Sequence, residues 1–235
     1  MKTPEAILFD LDDTLVSFSG TSNEIWRQCS ERLIRSAGLP FPPEHFIQTL
    51  FRVKDEYWGE PERHKRGRED LKAARREVVA MTFDELGLQD KELEHRLADE
   101  YTSLQDASIH LYPGTLTTLE HLRNKRILLG LVTNGSSAAQ RGKLDRFGLT
   151  GFFNVILIDQ EVGFSKPDPR IFMLALDKLN LPSCSVWMVG DNLLWDIQGA
   201  RNAGIYAVWA NYCNAKTSEN PDATIASIEE LMTLV

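Results

Sequence analysis

Residues 5–14 read Glu5-Ala6-Ile7-Leu8-Phe9-Asp10-Leu11-Asp12-Asp13-Thr14: four consecutive apolar side chains, then three acids within four positions. A short apolar run without polar alternation is the pattern of a strand buried on both faces, as in a parallel sheet covered by helices. Strands ordinarily end in turn residues. This one ends in carboxylates, and their mutual repulsion must be offset by something else in the molecule. Taken alone, the Asp-x-Asp-x-Thr string also fits an Asp-rich turn that caps a helix.

Working outward, the same kind of run recurs at residues 127–133 (ILLGLVT), 154–158, 185–190 and 205–210. Between these runs lie helix-length amphipathic segments near residues 114–125, 137–147, 168–179 and 194–203. The alternation predicts an α/β fold with a Rossmann-like, doubly wound parallel sheet. It is suspended after Val16, where four helical patterns follow one another at residues 23–37, 43–57, 69–86 and 91–104. Breakers flank this stretch: Ser17, Ser19, Gly20, Thr21 and Ser22 before it, Tyr112-Pro113-Gly114 after it. The expected organisation is a core of residues 1–16 and 108–235 with an inserted all-helical domain at 17–107.

Composition bounds the function. The chain has 235 residues, 43% hydrophobic and 26% charged, which is ordinary for a globular protein with a sizeable core. Its longest apolar stretches hold six residues, against the ~20 a membrane-spanning helix needs, so no membrane partner is expected. Lys2, Pro4, Glu5 and Asp10 interrupt any signal-peptide core, which points to a cytoplasmic protein. A net charge of -8 disfavours a nucleic-acid polymer as partner. Cys29, Cys184 and Cys213 are far apart and form neither a disulfide framework nor a zinc motif. The histidines lack the helical spacing of a zinc pair, and no P-loop, dinucleotide fingerprint or serine-hydrolase elbow is present.

The acids at residues 10–13 have company at other strand ends. Thr133-Asn134-Gly135 follows the second run, Ser165-Lys166-Pro167 comes after the third, and Gly190-Asp191, with Asp196 five residues on, follows the fourth. In an open parallel sheet the carboxyl ends of the strands line one crevice, so these residues are expected to meet there. Magnesium prefers carboxylate, carbonyl and water oxygens, and Asp10 and Asp191 are its natural ligands here. Lys166, a compact positive charge, can neutralise a carboxylate and a phosphoryl oxygen together. The Thr133 hydroxyl and the backbone N–H groups of Asn134 and Gly135 can donate to another phosphoryl oxygen.

With its four motifs in order, DLDDT from Asp10, VTNG around Thr133, SKPDPRIF around Lys166 and GDNLLWDIQGA from Gly190, nearly the whole chain resembles the haloacid dehalogenase-like (HAD) hydrolases that carry a helical cap. The resemblance implies that Asp10 attacks phosphorus and forms an aspartyl-phosphate, and that Asp12 serves as acid and then base. It implies magnesium held by the Asp10 and Asp191 carboxylates and the Asp12 backbone carbonyl, Asp196 orienting water or Lys166, Thr14 supporting the turn, and Thr133, Asn134 and Lys166 cradling phosphate. The dehalogenases of the family lack an acid at the Asp12 position, because a halide leaves without a proton. The chain is therefore expected to be a magnesium-dependent phosphatase acting on a small phosphorylated metabolite of nucleotide or sugar-phosphate type. A phosphomutase, or a non-catalytic binding protein that keeps the fold, is the alternative.

Within the insert, residues 61–76 hold seven Lys or Arg against three acids, either a solvated helix with its leading loop or an edge that attracts an anionic substrate. Phe18, Trp26, Tyr57, Trp58 and Arg63 could touch the leaving group, although aromatics at helical spacing more often pack a core.

Overall fold

The structure, a computed structural model, describes residues 3–235. The chain divides into two compact units, one made of the segment ending at Ser17 together with His110–Val235, the other of Phe18–Ile109. These divisions fall one and two residues later than the sequence reading placed them.

The first unit is built on strands β1 (Ala6–Phe9), β2 (Val16–Ser17), β3 (His110–Leu111), β4 (Leu128–Thr133), β5 (Val155–Ile158), β6 (Val186–Gly190), β7 (Tyr206–Ala210) and β8 (Ala223–Ile225). Six of them form a wholly parallel sheet in the order β5-β4-β1-β6-β7-β8. The chain starts in the middle, winds outward through β4 and β5, then crosses back to β6 and winds the other way. The reversal puts β1 between β4 and β6, where doubly wound sheets bind their ligands. Ala6, Ile7, Leu8 and Phe9 are fully buried, which is why β1 reads as an uninterrupted apolar run. Gly130 on β4 is required by the same packing, since a Cβ there would meet Leu8 Cδ2 at 2.6 Å.

Three strands escaped the sequence reading. The two-residue β2 and β3 pair antiparallel as a small ribbon, and β8 is a short edge strand whose middle residue, Thr224, is exposed.

The second unit is all helical: α1 (Ser22–Ala37), α2 (Pro43–Gly59), α3 (Pro61–Glu69), α4 (Leu71–Glu85) and α5 (Lys91–Ser108). It has five helices where the sequence pattern suggested four, because the expected loop before residue 69 is α3. Pro61 starts α3 and the Glu60 carboxylate accepts from the N–H groups of Glu62 and Arg63. Asp70 then takes a non-helical φ of -141° and caps α4 through the Ala73 N–H, so one expected helix is split from its predecessor there. Trp26 and Tyr101 stack at 3.6 Å between α1 and α5, and Phe46 meets Phe83 edge-on between α2 and α4. With Leu33, Leu50, Val79 and Leu97 these rings form the unit's own core.

Helices α6 (Thr115–Asn124), α7 (Ser137–Arg146), α8 (Asp159–Val162), α9 (Pro169–Leu179), α10 (Gly199–Asn202) and α11 (Leu231–Leu234) complete the sheet unit. Between β6 and α10, Leu193–Gln198 is wound as a π-helix. Among the described residues, no helix is long and apolar enough to cross a membrane.

Candidate active site

The carboxyl ends of β1, β4 and β6 deliver the sequence-predicted residues to one place. Asp10 leaves β1 with its N–H donating to Val189 O on β6 at 2.9 Å, which keys it beside the residue pair Gly190-Asp191. Lys166 comes from the loop between α8 and α9 and is 3% exposed. Its Nζ donates to Asp10 Oδ1 and to Asp196 Oδ1, each at 2.6 Å. Asp196 is carried inward by the π-helix, a widened turn that often marks functional sites, and its Oδ2 accepts the Asn192 N–H at 3.0 Å. The carboxylate lies directly against the α-carbon of Gly190, where a Cβ would come within 2.3 Å of Asp196 Cγ. Only glycine leaves that space.

Ligand oxygens of Asp10, Asp191 and Asp196 lie within 4.8 Å of one another. Three carboxylates thus crowd around one ammonium that pairs with two of them, leaving the cluster two charges short of neutral when all are ionised. The imbalance shows in the proton affinities. Burial, followed by the neighbouring Asp10 and Asp196, pushes Asp191 up to about 9. Burial also lifts Asp10 to about 7, although Lys166 pulls the other way. For Lys166, burial alone would lower the affinity, but Asp10 and Asp196 more than offset it and the ammonium is held above its usual range. An all-oxygen donor set with this excess of negative charge fits a hard divalent cation.

The surroundings pin Asp191. The Trp209 indole N–H donates to its carbonyl at 2.8 Å, and the fully buried Thr14 hydroxyl approaches Oδ1 at 3.5 Å. Tyr212 OH in turn donates to the Thr14 carbonyl at 3.0 Å, so Thr14 links the first motif to the last. Asp13, at a left-handed φ of 59°, closes the turn that carries Asp12.

On the β4 side the outcome departs from the sequence reading. The Asn134 side chain is occupied at both ends by the Lys166 backbone, with Nδ2 donating to Lys166 O at 3.0 Å and Oδ1 accepting Lys166 N–H at 2.9 Å. Its amide braces the lysine loop. The Gly135 N–H, expected to face a phosphoryl oxygen, instead donates to Asp159 Oδ1 at 2.7 Å. Thr133 is buried at the end of β4.

Two residues of α7 were not anticipated. Lys143 Nζ sits 2.6 Å from both carboxylate oxygens of Asp12, and Gln140 Nε2 contacts Asp12 Oδ2 at 3.1 Å and Thr133 Oγ1 at 2.6 Å. Gln140 and Lys143 stand three residues apart and so share one face of a helix that opens just after Thr133, a spacing that singles them out only once Asp12 is placed opposite.

In the helical unit, Phe18, Trp26 and Trp58 line a cavity of about 140 Å³ together with Arg75 and Tyr101. Tyr57 is instead fully packed in that unit's core, and Arg63 turns toward Glu60.

Comparison with known proteins follows the same lines. A family model described as haloacid dehalogenase-like hydrolase matches residues 4–204. The glyceraldehyde 3-phosphate phosphatase of Methanothermobacter thermautotrophicus is 32% identical over 208 residues, 88% of this chain and 85% of that protein. The pyrimidine 5'-nucleotidase YjjG of Escherichia coli is 30% identical over 233 residues, 97% of this chain and 96% of its own length. Among solved structures, the magnesium-bound HAD-hydrolase YfnB of Bacillus subtilis superposes with a TM-score of 0.74 over 99% of each chain at 22% identity, a likeness in fold alone.

Proposed function

The chain belongs to the haloacid dehalogenase-like hydrolases and is a phosphoric monoester hydrolase, and from there we propose a magnesium-dependent phosphatase that works through Asp10. Its substrate is a small phosphate monoester of nucleotide or sugar-phosphate type, in keeping with the named activities of its relatives. The observation that carries this reading is the Lys166 ammonium held between Asp10 and Asp196, with Asp191 alongside and negative charge still in excess.

Asp10 is the nucleophile. One carboxylate oxygen bonds to phosphorus in line with the departing oxygen, the phosphorus–oxygen bond of the ester breaks, and that oxygen takes a proton from Asp12. Water then attacks the phosphoryl group on Asp10, Asp12 takes the water's proton, and inorganic phosphate leaves. Asp10 and Asp191 carboxylates with the Asp12 carbonyl would hold magnesium, which supplies the positive charge that lets two anions approach. Lys166 neutralises Asp10 and a phosphoryl oxygen, and Asp196 fixes the direction of that ammonium. The Thr133 hydroxyl and the Asn134 backbone N–H complete the cradle. Asp12 separates this chemistry from dehalogenation, since an alkoxide needs the proton and a halide does not.

The test is hydrolysis of 4-nitrophenyl phosphate by chelated protein before and after magnesium is added. Activity should appear with the metal, and Asp10→Asn should lower it by about a thousandfold or more. Equal rates with and without metal, or an Asp10→Asn protein as active as its parent, would overturn the proposal.

A further inference from the structure

We infer that Gln140 and Lys143 of α7 are a positioning pair that holds Asp12 and Thr133 in register, an inference that rests on the acid–base role proposed for Asp12. The helix face they share is turned inward: Gln140 is 1% exposed, Lys143 7% and the adjoining Leu144 0%. A lysine buried that far needs an anionic partner to keep its charge. Lys143 has one in Asp12, straddled symmetrically at 2.6 Å from each oxygen.

Gln140 adds direction. Its amide faces a carboxylate, the Asn134 carbonyl at 3.2 Å and the Thr133 hydroxyl, and only the NH2 end can donate to the first two. Its two N–H hydrogens serve three acceptors, one of them forked, and the donation to Thr133 Oγ1 at 2.6 Å occupies a lone pair of that oxygen and leaves the hydroxyl hydrogen to be given elsewhere. One helical turn thus joins the carboxyl that moves protons to the hydroxyl that cradles phosphate.

The geometry is suited to a group that must act twice from the same spot. The Asp12 side chain is 23% exposed, and on a turn reaching toward water it would otherwise sample several rotamers. Displacement of a reacting group by about 1 Å can cost on the order of a hundredfold in rate. A purely structural ion pair would instead scale all activity by the amount of folded protein.

The two cases separate through the leaving group, using the full chain with magnesium. Phenyl phosphate depends on the proton from Asp12 far more than 4-nitrophenyl phosphate does, and the ratio of their kcat/KM values is independent of the folded fraction. Asp12→Asn calibrates the scale by widening the ratio. Lys143→Met should widen it by about tenfold or more, and Gln140→Leu, which keeps the ion pair, by about threefold. In the Asp12→Asn background, Lys143→Met should change the ratio no further, because its effect passes through that carboxyl. An unchanged ratio in both α7 variants overturns the inference. An unchanged ratio in Asp12→Asn overturns instead the acid role on which it stands.

Discussion

In the helical unit, cations meet acids in water. Arg66 reaches Glu77 and Arg76 reaches Asp99, each at 2.8 Å, with side chains 62%, 38%, 39% and 44% exposed in that order. In the sheet unit, the corresponding pairs are out of water: Lys166 is 2% exposed beside Asp10 and Asp196, and Lys143 8% beside Asp12. The difference separates two uses of the same residues. On the helices, the surplus of positive charge at residues 61–76 is answered by Glu77, Asp99 and Asp106 from outside that window, and apart from the buried Arg75 it reads as a solvated face. Beneath the strand ends the acids outnumber the lysine they share, and the imbalance belongs to chemistry.

Removing one partner from each region tests this contrast most severely. Lys166→Met leaves Asp10 and Asp196 without their shared ammonium, and should cost about 3–5 kcal/mol in thermal or denaturant unfolding. A loss below about 1 kcal/mol would place the buried cluster on the same footing as a surface pair.

A gentler probe uses pH and metal. Asp10 and Asp191 are held above the ordinary carboxylate range, at about 7 and about 9. A raised carboxyl contributes stability that is fully present below its unfolded value near 4 and is lost as pH rises through the folded value. Chelated protein should therefore melt at progressively lower temperature between about pH 6 and about pH 9. Magnesium at a hundred times its Kd should restore about 2.7 kcal/mol at the alkaline end, roughly 5–10 °C in Tm. A melting temperature indifferent to both would contradict the charge imbalance.

The smallest effect is expected on the helices. Arg66→Gln or Glu77→Gln should shift stability by about 1 kcal/mol or less, and salt should erase the difference. A larger loss would mean the exposed pairs do more than the contrast allows.

The comparison also explains what could be read from the sequence. The five long strands were legible because burial on both faces strips them of polar alternation, whereas β8, with Thr224 in solvent, and the two-residue β2 and β3 carry too little pattern. Asp10, Lys166, Asp191 and Asp196 were legible because they punctuate apolar runs. Gln140 and Lys143 were not, since α7 is polar almost throughout and its two inward polar residues look like any others until Asp12 is placed opposite them. The helix at Pro61–Glu69 was obscured by composition, with a single buried residue, Gly67, to mark its inner side.

Gly190 shows how a vacancy can be a working part. With no β-carbon there, Asp196 lies flat against the β6 backbone and draws Lys166 away from a private pairing with Asp10. Alanine at this position would dislodge that carboxylate, and the freed ammonium would settle wholly on the nucleophile, blunting it. The reactivity of an oxygen on one strand is thus tuned by a methyl group that its neighbouring strand omits.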